Sequence, residues 1–296
     1  MSVYIPAGGW LAIKRPQFVE EAVYGTTPSS PTFTSAGPLS TWTNTSEIQN
    51  TQYRELGTRD INSLIKTGEQ HSFQLTYNPV DAVLMGYGVN LPSGSGSIEK
   101  SLSFVTSQKM DNVENYIVCT GCITNEITIE IANDSPVNVT QSFRAKNIST
   151  PATTPGFTGT PTYAANTTLL PWTNQTPGSG PLTFNGTVVD VSTFSTTITN
   201  NVNEIKPNGD AVAKIVAPTL REVTFSFTTW FKDTTLIADT KTLTPRAMEY
   251  KLSTDKKLVF TDAYLNKFET SDDVGSNDFK DLAFTGVAKA VTISSY

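Results

Sequence analysis

Histidine is almost missing from this chain of 296 residues, which carries only His71. That leaves little material for a Ser-His or Cys-His nucleophile or for a histidine-rich metal site. Cysteine is nearly as scarce. Cys119 and Cys122 form a lone CxxC without the second ligand pair a zinc site needs, so they read as two small strand residues, at least one of them buried, ahead of a redox or metal pair. There is no glycine-rich phosphate loop, and no pair of carboxylates stands apart as sugar-cleaving groups do; Asp272, Asp273, Asp278 and Asp281 read as turn and solvated strand positions. The sequence predicts a protein that is not an enzyme and holds no cofactor or metal.

Charge is thin as well. Asp, Glu, Lys and Arg make up 16% of the residues, below the usual quarter, and they sum to a net charge of −6. Such a surface does not grip nucleic acid or an anionic membrane, so a DNA partner would be loosely held. No apolar run approaches the roughly 20 residues that cross a bilayer, and no basic stretch followed by an apolar core opens the sequence. The expectation is a protein made in a cytoplasm without membrane insertion.

Thr, Ser and Asn are abundant, and they favour strands and turns over helices. At an offset of 152, Ser40, Thr41 and Trp42 fall on Ser192, Thr193 and Phe194, while Phe73, Thr76, Asp81 and Leu84 fall on Phe225, Thr228, Asp233 and Leu236. Further along, an offset of 141 brings Val118, Thr120, Asn125, Ser135 and Phe143 onto Val259, Thr261, Asn266, Ser276 and Phe284. This pattern predicts two copies of one β-rich unit, a plan suited to symmetric assemblies.

The expected division is an N-terminal arm over 1–36, a first domain over 37–149, a Pro/Thr/Gly-rich linker over 150–182 and a second domain over 183–296. In the arm, Trp10-Leu11-Ala12-Ile13 suits either a strand added to a neighbour's sheet or a strand of its own domain. Phe73, Leu75 and Tyr77 share one strand face, opposite uncharged polar residues. Asn78, Pro79 and Gly86 predict the cap, first residue and end of one short helix, with a counterpart beginning near Asp233. Residues 122–131 alternate: Ile123, Ile127, Ile129 and Ile131 against Thr124, Glu126, Thr128 and Glu130, as in an antiparallel sheet with one wet side. A turn at 133–136 and a strand over 137–145 complete a hairpin. The fold class is mainly β, with two tandem β-sandwich or barrel domains, each carrying one short helix and related by internal duplication.

This order of elements resembles the tail tube proteins of long-tailed bacteriophages and archaeal tailed viruses, in the version with two tube domains per chain. The residues that carry the likeness are Glu20-Glu21-x-x-Tyr24-Gly25-Thr26-Thr27-Pro28, the strand-helix step from Ser72 to Gly86, Thr120-Gly121-Cys122-Ile123, and Val139 to Lys146. The resemblance implies a structural protein of the virion tail, whose sheets join into an inner barrel and whose rings stack into the conduit for viral DNA ejection. With two domains per chain, three copies would make a pseudo-hexameric ring. Implied partners are the protein itself, other tail proteins such as tape measure, terminator and distal tail or baseplate components, and DNA passing non-specifically. Gln74, Thr76, Thr124, Glu126, Thr128, Glu130, Ser226, Thr228 and Glu269 are the expected lumen-facing residues, although the same glutamates could face outside solvent. Tyr53, Arg54, Glu55, Arg59 and Asp60 suit either a loop docking one ring on the next or an ordinary solvated loop. The alternative function is a virion- or cell-surface decoration or adhesion module, for which tandem low-charge β-domains are equally natural.

Overall fold

Strands dominate, as the Thr-rich alternating sequence requires. The computed structural model describes residues 13–54, 60–61, 63–90, 100–110, 113–132, 135–158, 180–208, 210, 212–230, 235–253, 255–271 and 281–295. In chain order the first half supplies β1 (Ile13–Glu20), β2 (Thr34–Ser35), β3 (Leu39–Tyr53), β4 (Ser63–Tyr77), α1 (Val83–Val89), β5 (Leu102–Met110), β6 (Val113–Ala132), β7 (Asn138–Ala145) and β8 (Asn147–Ile148). The second half supplies β9 (Leu182–Phe184), β10 (Thr187–Val189), β11 (Val191–Thr199), β12 (Asn203–Ile205), β13 (Ile215–Ala217), β14 (Glu222–Trp230), α2 (Thr235–Thr242), β15 (Arg246–Lys251), β16 (Lys256–Ser271) and β17 (Asp281–Ser295).

The two halves follow one connection order. Antiparallel neighbours run β2-β1-β5-β6-β7-β4-β3 in the first and β10-β9-β15-β16-β17-β14-β11 in the second. Irregularities coincide too. β3 slips against β4 between Leu39 and Thr41, and β11 against β14 between Val191 and Thr193. β6 slips against β7 between Thr124 and Glu126, and β16 against β17 between Leu265 and Lys267. The long strands bend at Gly121, with φ of 64°, and at Asp262, with φ of 48°. The final strand departs from the expected register: Phe143 stands beside Phe73 and Gly286 beside Phe225, so Phe143 matches Gly286 and not Phe284.

Each bend lets one strand serve two layers. Residues of β6 up to Cys122 pair with β5, and those from Ile123 pair with β7 on one side and, from Glu126, with β11 on the other. Between the layers the first half packs Phe18, Phe73, Phe104 and Phe143, with Phe73 and Phe143 stacked at 4.5 Å. The second packs Phe194 on Tyr250 at 4.0 Å and Phe225 edge-on to Phe260. Stacked and edge-on geometries of this kind add about 0.5–1.5 kcal/mol per pair beyond their burial.

Several expectations need correction. Residues 13–36 are not a detached arm: β1 pairs with β5, and β2 with β1, inside the first half. Trp10, Leu11 and Ala12 lie outside the described residues, as do 159–179 of the expected linker. The helix begins at Val83, whose N–H is taken by the Asp81 side chain, and runs past Gly86 to Val89; Asn78 lies outside it and donates its amide to the Val137 carbonyl. Ile123 does not join Ile127, Ile129 and Ile131; the bulge at Asn125 reverses the alternation and sends it to a separate cluster with Val202, Ala213 and Val216.

Gly286 marks where the halves differ in packing. A Cβ there would overlap the Phe225 ring and the Tyr264 carbonyl oxygen. Gly286→Ala should cost roughly 1–3 kcal/mol in urea denaturation. Gly86→Ala, whose new methyl would meet nothing nearer than 3.8 Å, should be neutral or gain up to about 1 kcal/mol.

Candidate functional site

The largest continuous feature is a sheet that runs through both halves. Because β11 pairs with β6, the path β3-β4-β7-β6-β11-β14-β17-β16 is unbroken. One face buries Phe73, Leu75, Tyr77, Ile127, Ile129, Val139, Phe194, Phe225 and Phe284. The other is the wet face predicted by alternation.

Registers place the expected residues in cross-strand rows on that wet face. One row runs Thr76, Thr140, Thr128, Thr197 and Thr224; another runs Gln74, Ser142, Glu126, Thr199 and Glu222. Glu130, Ser195, Ser226, Thr285 and Lys267 make a third, and Thr228, Ala283 and Glu269 belong to a fourth. Neighbouring hydroxyls satisfy each other: Thr76 and Thr140 lie 3.3 Å apart and Thr128 and Thr197 3.1 Å. Glu126 accepts from the Thr199 hydroxyl at 3.3 Å, and Glu130 from the Asn138 amide at 3.3 Å. Glu269 pairs with Lys267 on its own strand.

Thr124 is the exception. The bulge at Asn125 turns it into the core at 2% exposure, where its hydroxyl takes a 2.8 Å hydrogen bond from Gln141. Tyr77 in turn donates to Gln141 at 2.9 Å, so the inward polar group is fully used. The signal in the sequence was the run Thr124-Asn125-Glu126, three polar residues in a row where strict alternation would place an apolar one at 125.

The two ends of this eight-strand path have no further strand partner among the described residues. β3 pairs only with β4, and the part of β16 beyond Ala263 pairs only with β17. Beyond Glu47 the β3–β4 hairpin extends with exposed Ile48, Tyr53, Leu64 and Ile65. Tyr53 and Arg54 lie at its outer end and Asp60 is exposed, whereas Glu55 and Arg59 fall outside the described residues.

The second half has the same hairpin, folded differently. Asn203↔Ala217, Glu204↔Val216 and Ile205↔Ile215 repeat Thr51↔Ile65, Gln52↔Leu64 and Tyr53↔Ser63 at the constant offset of 152. Here the chain turns at Asn201, with φ of 47°, and is caught by the Asn125 bulge: Asn200 N–H binds the Asn125 carbonyl at 2.7 Å, and Val202 N–H its side chain at 3.0 Å. Val216 is thereby buried at 2% exposure, while its counterpart Leu64 is 62% exposed.

The motif residues of the first half meet at the β6 bend. The buried Glu21 carboxylate accepts from Gly25 N–H at 2.7 Å, Ser101 and Ser103 hydroxyls at 2.6 Å each and Gly121 N–H at 2.8 Å. Tyr24 covers Gly121, and the Lys146 ammonium sits 5.2 Å from its ring centre. These groups build a clamp, not a reactive centre. Both cysteines beside the bend are free and buried; burial pushes the Cys119 thiol up to about 12 and the Cys122 thiol well above its usual value, so neither is a ready nucleophile. His71 is also buried, its pKa lowered chiefly by burial, with Nδ1 2.7 Å from the Ser46 hydroxyl.

No curated protein matches the chain. A family model described as phage tail tube protein matches residues 15–292, which includes the Glu21 clamp, the continuous sheet and both hairpins. The chain belongs to the phage tail tube protein family.

Proposed function

We propose that three copies of this structural tail protein close into a pseudo-hexameric ring, and that stacked rings form the conduit for viral DNA. The observation that carries this reading is the unbroken path of eight strands through both halves, ending on two unpaired edges. Two repeated tube units of four inner strands each would give a ring of about 24 strands. At roughly 4.8 Å spacing and a tilt near 45°, the backbone wall would be about 50 Å across, leaving about 40 Å inside the side chains. Duplex DNA passes such an opening without being pinched.

The wet face would line that opening. Its rows are mostly hydroxyl groups that bond sideways to each other, and its carboxylates Glu126, Glu130, Glu222 and Glu269 outnumber the cations Arg144 and Lys267. A wall of this kind offers phosphates few counterion-releasing partners, so DNA slides. Assembly would take place in the host cytoplasm, with tape measure, terminator and distal tail or baseplate proteins meeting the tube at its core and ends.

The straight β3–β4 hairpin is the axial contact in this reading. Its bare Leu64 and Ile65, with Tyr53, Arg54 and Asp60 near the outer end, would dock on the next ring. Folding of its counterpart depends on Asn200 and Asn201, and the equivalent positions are Ile48 and Gln49, which keep the first hairpin extended.

Glu126→Lys with Glu130→Lys should slow DNA ejection from assembled virions, as two cations per chain add phosphate footholds at six sites per ring; ejection at the normal rate would remove the lumen assignment. Leu64→Ser with Ile65→Ser should change chain stability by less than about 0.5 kcal/mol, since both are exposed, yet should leave rings that fail to stack in negative stain. Tubes of ordinary length from that variant would refute the axial role.

A further inference from the structure

We infer that the joint between neighbouring copies is a backbone pairing of β16 with β3 of the next copy, in the register Lys267↔Glu47, Phe268↔Ser46, Glu269↔Thr45 and Thr270↔Asn44. This rests on the ring reading above and specifies its seam. The template lies inside the chain. β6 receives β11 with Glu126↔Thr199, Ile127↔Ile198, Thr128↔Thr197 and Ile129↔Thr196. β16 corresponds to β6, because both carry the left-handed bend and the following slip at positions 141 apart: Gly121 with Asp262, and Thr124/Glu126 with Leu265/Lys267. β3 corresponds to β11, because both pair with the next strand after the same initial slip, Thr41↔Thr76 matching Thr193↔Thr228 at 152. Carrying both correspondences across converts the internal joint into the external one.

Three features of the edges agree. β3 and β16 stand at opposite ends of the eight-strand path and do not pair with each other, so the complement of each is supplied by a second copy. Long open edges are association templates, which soluble proteins normally cover or block; neither stretch contains a proline, and both run for several residues with their backbone groups facing outward. The charges also match. At the internal joint Thr199 donates to Glu126, and the transferred pair sets the Lys267 ammonium opposite the Glu47 carboxylate. Lys267 already touches Glu269 on its own strand, so at the seam it would sit between two carboxylates on the wet face.

A cysteine pair tests the register. In Thr45→Cys/Glu269→Cys protein the two thiols face each other across the seam, and diamide, which takes up their two protons and two electrons, should link successive chains into a closed three-chain species on non-reducing gels. Thr43→Cys/Glu269→Cys is diagonal, its two residues about 7–8 Å apart and outside ordinary disulfide geometry. It should link at least about tenfold more slowly. Native Cys119 and Cys122 are buried and do not compete. If rings are seen in negative stain but the diagonal pair links as fast as the facing pair, the register is overturned and the ring reading stands. Should neither wild type nor variants form rings at any concentration, the ring reading fails and takes the seam with it. Lys267→Glu, at a 60% exposed side chain, provides an independent arm: it should weaken association at least about fivefold in sedimentation velocity, and adding Glu47→Lys should restore it. Absence of rescue overturns the facing pair.

Discussion

A single backbone bend sets the architecture. At Gly121 the chain takes a left-handed conformation that side chains resist by about 1–2 kcal/mol, and that turn lets β6 leave the outer layer and enter the inner one. Glu21 holds the turn by collecting four donors on one buried carboxylate, including the Gly121 N–H itself. The inner half of β6 is then exposed on both sides, to β7 and to β11, and the sheet passes from one half of the chain to the other. Asp262 makes the same turn in β16 without a glycine, and Asp is among the few side chains that tolerate it. There the far side of the strand finds no strand partner among the described residues.

Much of this was legible in the sequence because alternation is a local signal. Phe73, Leu75 and Tyr77 went inward and Gln74 and Thr76 outward as their period required, and the strands around Ile127 and Val139 formed the expected hairpin. What failed was phase. Asn125 stands where alternation calls for an apolar residue, and its bulge moves Thr124 and Ile123 to opposite sides of where alternation puts them. The bulge recurs at Asn266 in β16, so it belongs to the strand itself; at Asn125 the side chain and carbonyl it presents serve Val202 and Asn200. The helix also starts later than Asn78 and Pro79 suggest: the Asn78 amide bonds the Val137 carbonyl across the sheet, and Asp81 takes the Val83 N–H. Repeat offsets contained part of the missing information, because Asn125 and Asn266 fall together at 141, but a shared asparagine does not announce a bulge until a register is known. The free edges were not legible at all, as every strand sequence looks pairable on both sides.

The two halves share a plan and differ where their neighbours differ. The second half meets the first within one chain, and its hairpin carries Asn200 and Asn201, which can turn and bond to Asn125 and to the Thr124 and Gly88 carbonyls. Folding over buries Val216 against Ile123 and Tyr24. The first half has no such seat among the described residues, and it carries Ile48 and Gln49, which neither favour the turn nor supply those hydrogen bonds. Its hairpin therefore stays straight and keeps Leu64 in solvent. One repeated element thus has two geometries, where both its turn residues and its neighbours differ. On the proposed tube, that difference separates sideways closure, carried by backbone edges, from axial stacking, carried by an extended apolar hairpin.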